Sequence, residues 1–119
     1  YWMYSMSNLS NDLDIVLSKL KSILLKKHED YGPLNVAHSP GGPLNGLRVR
    51  MYDKLARINN LYQKGGDTPN YESLEDSFID LANYAIIAIL VQNGQWEGVP
   101  VRSLNAQSSG PVGPSDTLS

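Results

Sequence analysis

Cysteine is absent from the 119 residues. That excludes a disulfide scaffold, a thiolate zinc site and a cysteine nucleophile. Charge is scarce as well: charged residues make up 18%, with 10 Lys and Arg against 12 Asp and Glu, for a net charge of −2. With a sequence pI of about 5.5, the chain lacks the basic excess of a nucleic-acid binder. Direct nucleic-acid binding is therefore not expected, although a local basic face can still hold a phosphate. Long apolar runs are missing too. The longest block, 81–91, is interrupted by Asn83, and a membrane span needs about 18 or more apolar residues. No charged-then-apolar leader opens the chain, and a cytoplasmic location is expected. The first residue is Tyr1 rather than Met, so a start that is trimmed, renumbered or fused to other residues is expected. Gly-rich phosphate loops of the Walker type, Gly-x-Gly-x-x-Gly and His-Glu-x-x-His are all absent.

What is present fits one domain, since single domains run to roughly 100–200 residues. Residues 98–119 contain 11 Gly, Pro or Ser among 22, with Arg102 and Asp116 the only charges. Such a segment buries too little apolar surface to offset the entropy of ordering it, and it is expected to be a flexible tail. Residues 1–9 form an N-terminal flank, rich in Tyr1, Trp2, Met3, Tyr4 and Met6. A helical domain over 10–97 remains, with no internal repeat and no heptad pattern.

Three main helices are expected there. The first starts at Ser10 or Asn11 and carries Leu13, Val16, Leu17, Leu20, Ile23 and Leu24 at three-and-four spacing. Gly32-Pro33 stops it. A long Gly/Pro loop over 33–46 follows. The second helix, about 45–64, has Leu47, Met51, Leu55, Ile58 and Tyr62 on its apolar stripe and Gly65-Gly66 at its end. The third starts near Ser73, whose Ser-x-x-Asp spacing resembles a capping box, and ends at about Asn93 with Gly94 as its left-handed cap. One apolar face is Leu74, Phe78, Leu81, Ala82, Ala85 and Ile89. Ile79, Ile86, Ile87, Leu90 and Val91 cover most of the rest. A helix apolar nearly all round must be buried nearly all round, and two other helices cannot surround it. The expectation is an all-α fold, a small helical bundle completed by homo-oligomerisation.

Two charged stripes carry the candidate chemistry. On the third helix, Glu72, Asp76, Asp80 and Asn83 fall within roughly an 80° sector. Asp80 is flanked by Phe78, Ile79, Leu81 and Ala82, and a poorly solvated carboxylate stays ionised only beside a cation. Magnesium is one such cation; an Arg or Lys from another helix is the other. On the second helix, Arg50, Asp53, Lys54 and Arg57 recur along one face, and three cations against one anion suit a phosphate chain. The alternative is that the two stripes simply pair as structural salt bridges. At the end of the first helix, Glu29 and Asp30 oppose the helix dipole. His38 stands alone in its loop. Tyr52, Tyr62, Tyr84 and Trp96 can either stack a base or pack in a core or interface.

Lys27-His28-Glu29-Asp30-Tyr31-Gly32, then Arg50-x-x-Asp53-Lys54-Leu55-x-Arg57-Ile58, then Glu75-Asp76-x-x-x-Asp80-Leu81-Ala82-Asn83-Tyr84-Ala85 together resemble the nucleotide-modification-associated helical family of phages and bacteria. Its helical pattern is similar to the MazG-like all-α nucleoside triphosphate pyrophosphohydrolases. The resemblance implies a magnesium-dependent activity on nucleoside triphosphates or modified nucleotides. Asp76, Asp80 and Glu75 would be catalytic, and Glu29, Asp30, Glu72, Asp76 and Asp80 would hold the magnesium. Glu29-Asp30 stands in for the earlier Glu-x-x-Glu helix of those enzymes. Arg50, Lys54, Arg57, Asn83 and Tyr31 would bind the nucleotide and its phosphates. If phage-encoded, the protein would act in the host cytoplasm. Two alternatives stay open: a non-catalytic nucleotide or cyclic-nucleotide binder acting as sensor or phage sponge, and a structural phage protein whose stripes are ion pairs.

Overall fold

The computed structural model describes residues 5–66 and 68–100. Among them are four helices and no strand: α1 (Met6–Tyr31), the single-turn α2 (Leu34–Ala37), α3 (Pro43–Gly65) and α4 (Tyr71–Gln92). The three expected long helices are these, with α2 added inside the loop. Of the expected flank and tail, residues 1–4 and 101–119 lie outside the described residues.

Helix starts differ from the sequence-based expectation, and each difference traces to a cap. In α1 the Ser5 hydroxyl accepts the Asn8 amide at 3.2 Å, so the helix begins a full turn before Ser10. Met6, Leu9, Leu13, Val16, Leu20 and Ile23 alternate at three-and-four spacing along α1, a short heptad-like stripe that corrects the expectation of no heptad pattern. In α4 the cap is Asn70, whose side-chain oxygen accepts the Ser73 amide at 3.0 Å. An Asn oxygen competes well for that role. The carboxyl end of α4 is as expected. Gly94 adopts φ 72°, its amide donates to Val91 O at 3.0 Å, and the Gln95 amide donates to Leu90 O at 2.8 Å. That is the Schellman arrangement, which depends on a left-handed residue.

The short connection over 66–70 folds α3 back on α4, and this hairpin is the main packing unit. Its buried row on α4 is Leu74, Ser77, Ile87 and Val91, facing Leu47 and Ile58 of α3. Of the apolar face Leu74, Phe78, Leu81, Ala82, Ala85 and Ile89, Leu74 is buried, Leu81 and Ala82 are half-buried, and Phe78, Ala85 and Ile89 are exposed in the single chain. Ser77 is only 2% exposed, a position in the packed row that a small side chain fills. At one end of the hairpin, Val36, Leu47, Ile87, Val91 and Trp96 form the core, with Leu24, Met51 and Tyr84 packed on it. The Trp96 indole N–H donates to Pro33 O at 3.0 Å. Trp96 therefore ties the segment after α4 to the segment after α1.

Helix α1 lies against α4 through its second half. Leu20 is buried, and its carbonyl accepts the Asn83 amide group at 3.1 Å. The first half has no such cover: Met6, Leu9, Leu13, Val16 and Leu17 are all exposed. No helix among the described residues is long and apolar enough to cross a membrane.

Candidate functional site

A cleft of about 390 Å³ opens where the carboxyl end of α1, α2, the first half of α3 and the middle of α4 meet. Its walls come from Lys27, His28, Tyr31, Asn35, Arg50, Lys54, Asp80, Asn83, Tyr84, Ile87 and Trp96, among others. Such a volume lies within the range of small-molecule sites, roughly 300–1,000 Å³.

Asp80 sits at its polar end. Lys27 Nζ from α1 lies 2.9 Å from one carboxylate oxygen, and Lys54 Nζ from α3 lies 2.9 Å from the other. The Asp80 side chain is 18% exposed, Lys54 27% and Lys27 52%. Burial pushes the Asp80 carboxyl up, but the hydrogen-bonded Lys54 and Lys27 ammonium groups outweigh it and hold the carboxyl below the usual carboxylate range. The hydrogen bond to Asp80 likewise raises Lys27 above an ordinary lysine, against a smaller opposing effect of burial. Arg50, one turn before Lys54, donates to Asn35 O at 3.0 Å and lines the same cleft. Two lysines thus meet one carboxylate and Arg50 adds a third cation to the lining, which leaves the cleft wall net positive.

The other end is apolar and aromatic. Ile87, Tyr84 and Trp96 form it, and the His28 ring meets Trp96 edge-on with centroids 5.0 Å apart at 75°. Asn83 stands between the two ends. Its amide group is spent on Leu20 O, while its Oδ1 is buried with no hydrogen-bond partner among the described residues, as is His28 Nδ1.

The sequence-derived site residues divide accordingly. Arg50, Lys54, Asp80, Asn83 and Tyr31 come together in the cleft. Arg57 does not: it is exposed and lies outside the walls, because it sits about 100° around α3 from the buried Ile58. Glu75 is exposed and pairs with Lys19 at 3.0 Å. Glu72, Asp76, Glu29 and Asp30 are exposed and outside the cleft. The residues expected to hold magnesium are therefore dispersed, and the one that reaches the cleft has an ammonium group on each oxygen. Among the described residues no three His, Asp or Glu side chains converge as metal ligands. This donor set does not fit a magnesium cage, which asks for several oxygen ligands about one ion.

Four cleft residues escape the charge-stripe reading: Lys27, His28, Asn35 and Trp96. Lys27 carries a usable signal. It continues the Leu20, Ile23, Leu24 row at three-and-four spacing, so it must emerge on the side of α1 that faces α4. Asn35 lies in the single-turn α2 and Trp96 in the segment after α4, both too short for periodicity to say anything.

No curated protein and no solved structure matches this chain. A family model does, over residues 27–91, a stretch that holds the charged end of the cleft, Asn83, Tyr84 and Ile87. It covers more than half of the 119 residues, and the chain belongs to the family described as Nucleotide modification associated domain 1.

Proposed function

We propose that the cleft binds a nucleotide and holds its phosphate at the Lys27–Lys54–Arg50 end. The observation that carries this reading is the convergence of two lysines from two helices on a single carboxylate, in a cleft that Arg50 also lines and that has aromatic residues in its wall. Ammonium and guanidinium groups make charge-assisted hydrogen bonds to phosphate oxygens. The family description supports the nucleotide part of the reading. We further infer that the chain works as a homo-oligomer, because the first half of α1 leaves its apolar stripe exposed.

Magnesium-dependent pyrophosphohydrolysis, the activity implied by the MazG-like resemblance, has one support here: an ionised carboxylate, Asp80, within the cleft. It would need Asp80 to exchange its lysines for a metal and distant acids to move in. Incubation with a mixed nucleotide pool, with and without magnesium, followed by mass spectrometry, separates retention from hydrolysis. The expected result is a nucleotide retained unhydrolysed in both. Magnesium-dependent turnover abolished by Asp80→Asn would replace the binder with the hydrolase. Failure to retain any phosphate-bearing compound would end both.

A further inference from the structure

Two residues of the cleft lining, Asn83 and His28, carry buried polar atoms, Oδ1 and Nδ1, without hydrogen-bond partners among the described residues. Native structures rarely leave such atoms unpaired, and each one asks for a water or a ligand. Asn83 is 6% exposed, and its rotamer is not free to search for another partner, because its amide group is committed to Leu20 O at 3.1 Å. The oxygen is thus the atom left to accept from whatever enters. Its place along the cleft is informative. Asn83 is one helical turn past Asp80, on the same side of α4, and Ile87 is one turn further. At ~1.5 Å per residue, Asp80 to Ile87 spans about 10 Å, charged at one end and apolar at the other. A phosphate joined through a sugar to a flat ring with N–H groups on its edge has this polarity. The net charge of the phosphate end, three cations against Asp80, balances a monophosphate dianion.

We propose that the cleft takes a nucleoside monophosphate and that Asn83 Oδ1 reads its base by accepting a base N–H. This rests on the phosphate reading above. Exocyclic amino groups and ring imino groups are the donors that nucleobases offer on their edges; ribose donates only through its hydroxyl groups, and ribose 5-phosphate carries hydroxyls as well, so a gain in affinity over ribose 5-phosphate reports the base. A site built to pair with an N–H discriminates strongly against an analogue that lacks it, since its own buried atom is then left unsatisfied.

The test is calorimetric titration of the full chain with inorganic phosphate, ribose 5-phosphate and the four common nucleoside 5′-monophosphates. At least one monophosphate should bind tenfold or more tightly than ribose 5-phosphate. Its analogue with the base N–H methylated or removed should fall back to the ribose 5-phosphate level, a comparison made on the unaltered protein. In Asn83→Leu the base-dependent excess should vanish while ribose 5-phosphate binding persists. That persistence also shows that the variant has folded. If no base improves on ribose 5-phosphate, or the analogue binds as well as its parent, base reading is wrong while the phosphate reading stands. If Asn83→Leu lowers all ligands equally, Asn83 is a structural strut and the inference fails. If neither inorganic phosphate nor ribose 5-phosphate binds, and Lys54→Ala changes nothing, the phosphate reading itself has failed and takes this inference with it.

Discussion

Asp80 has two lysines and one negative charge, and that imbalance makes its removal informative. Asp80→Asn leaves the Lys27 and Lys54 ammonium groups facing each other without a counterion. Both lysines are partly solvated, so the cost is smaller than for a fully buried pair, about 1–2 kcal/mol. Urea unfolding at neutral pH measures it. The same variant should bind inorganic phosphate several-fold more tightly, because the carboxylate no longer competes for the lysines. A role for Asp80 as metal ligand predicts weaker binding instead. The pH dependence follows from the directions of the shifts. The Asp80 carboxyl is depressed in the folded state, so its contribution is complete above the unfolded value, about 4, and is lost as pH falls through the folded one. Lys27 is raised, so its contribution is complete below the ordinary lysine value and is lost as pH rises through the folded one. The stability gap between wild type and Asp80→Asn should therefore be flat through neutrality and close in acid. Among the cations, Lys54→Ala should weaken phosphate binding by about 1.5–3 kcal/mol. Arg57→Ala, outside the cleft, should leave it unchanged under the same titration.

At the scale of helices, stability is unevenly spread. The α3–α4 hairpin holds Leu47, which is fully buried, and Leu47→Ala should cost about 2–5 kcal/mol in chemical denaturation. The first half of α1 holds its apolar residues in solvent. An isolated helical stretch of that length is marginal in water. In a single chain, Leu13→Gln should therefore change unfolding free energy by no more than about 0.5 kcal/mol. Hydrogen exchange should show amides before Leu17 opening well before those of α4 between Leu81 and Val91. The cleft inherits this unevenness. Its Lys54, Asp80 and Tyr84 are on the firm hairpin, while Lys27 and His28 reach it from a helix held by Leu20, Asn83 and two exposed lysine pairs.

For the whole molecule the open question is what covers α1. Leu17, Leu20, Leu24 and Leu25 together with Ile86 and Leu90 line a second, apolar groove between α1 and α4, continuous with the exposed stripe from Met6 to Val16. An apolar surface this extended marks an association site more often than it is tolerated on a monomer. Sedimentation equilibrium at micromolar concentration should show an oligomer, and the pair Leu13→Glu with Val16→Glu should convert it to a monomer with the helix content of the hairpin intact. Leu24 and Asn83 line both the groove and the cleft, so association and ligand binding share two residues. A wild-type chain that stays monomeric would place the α1 stripe against some other partner.

Local rules alone determine much of this protein. Gly and Pro punctuation sets the breaks between helices, three-and-four spacing sets which helices are amphipathic, and the apolar surroundings of Asp80 mark it as a carboxylate in need of a cation. Arg50, Lys54, Asp80 and Asn83 are legible on those grounds as members of two polar stripes, and the family resemblance adds Tyr31 and the idea of one shared site. Which cation reaches Asp80 is a tertiary matter. A helical wheel places Lys54 and Arg57 on one sector, but the way α3 packs on α4 brings Lys54 into the cleft and leaves Arg57 in solvent. Lys27 arrives from a helix more than fifty residues away along the chain. The dispersal of Glu72, Asp76, Glu29 and Asp30 has the same cause: sharing a stripe on one helix does not fix how that helix is turned, or where the end of another helix falls beside it. Trp96 becomes part of the site only because its N–H finds Pro33 O, a bond between two irregular segments that no periodicity encodes.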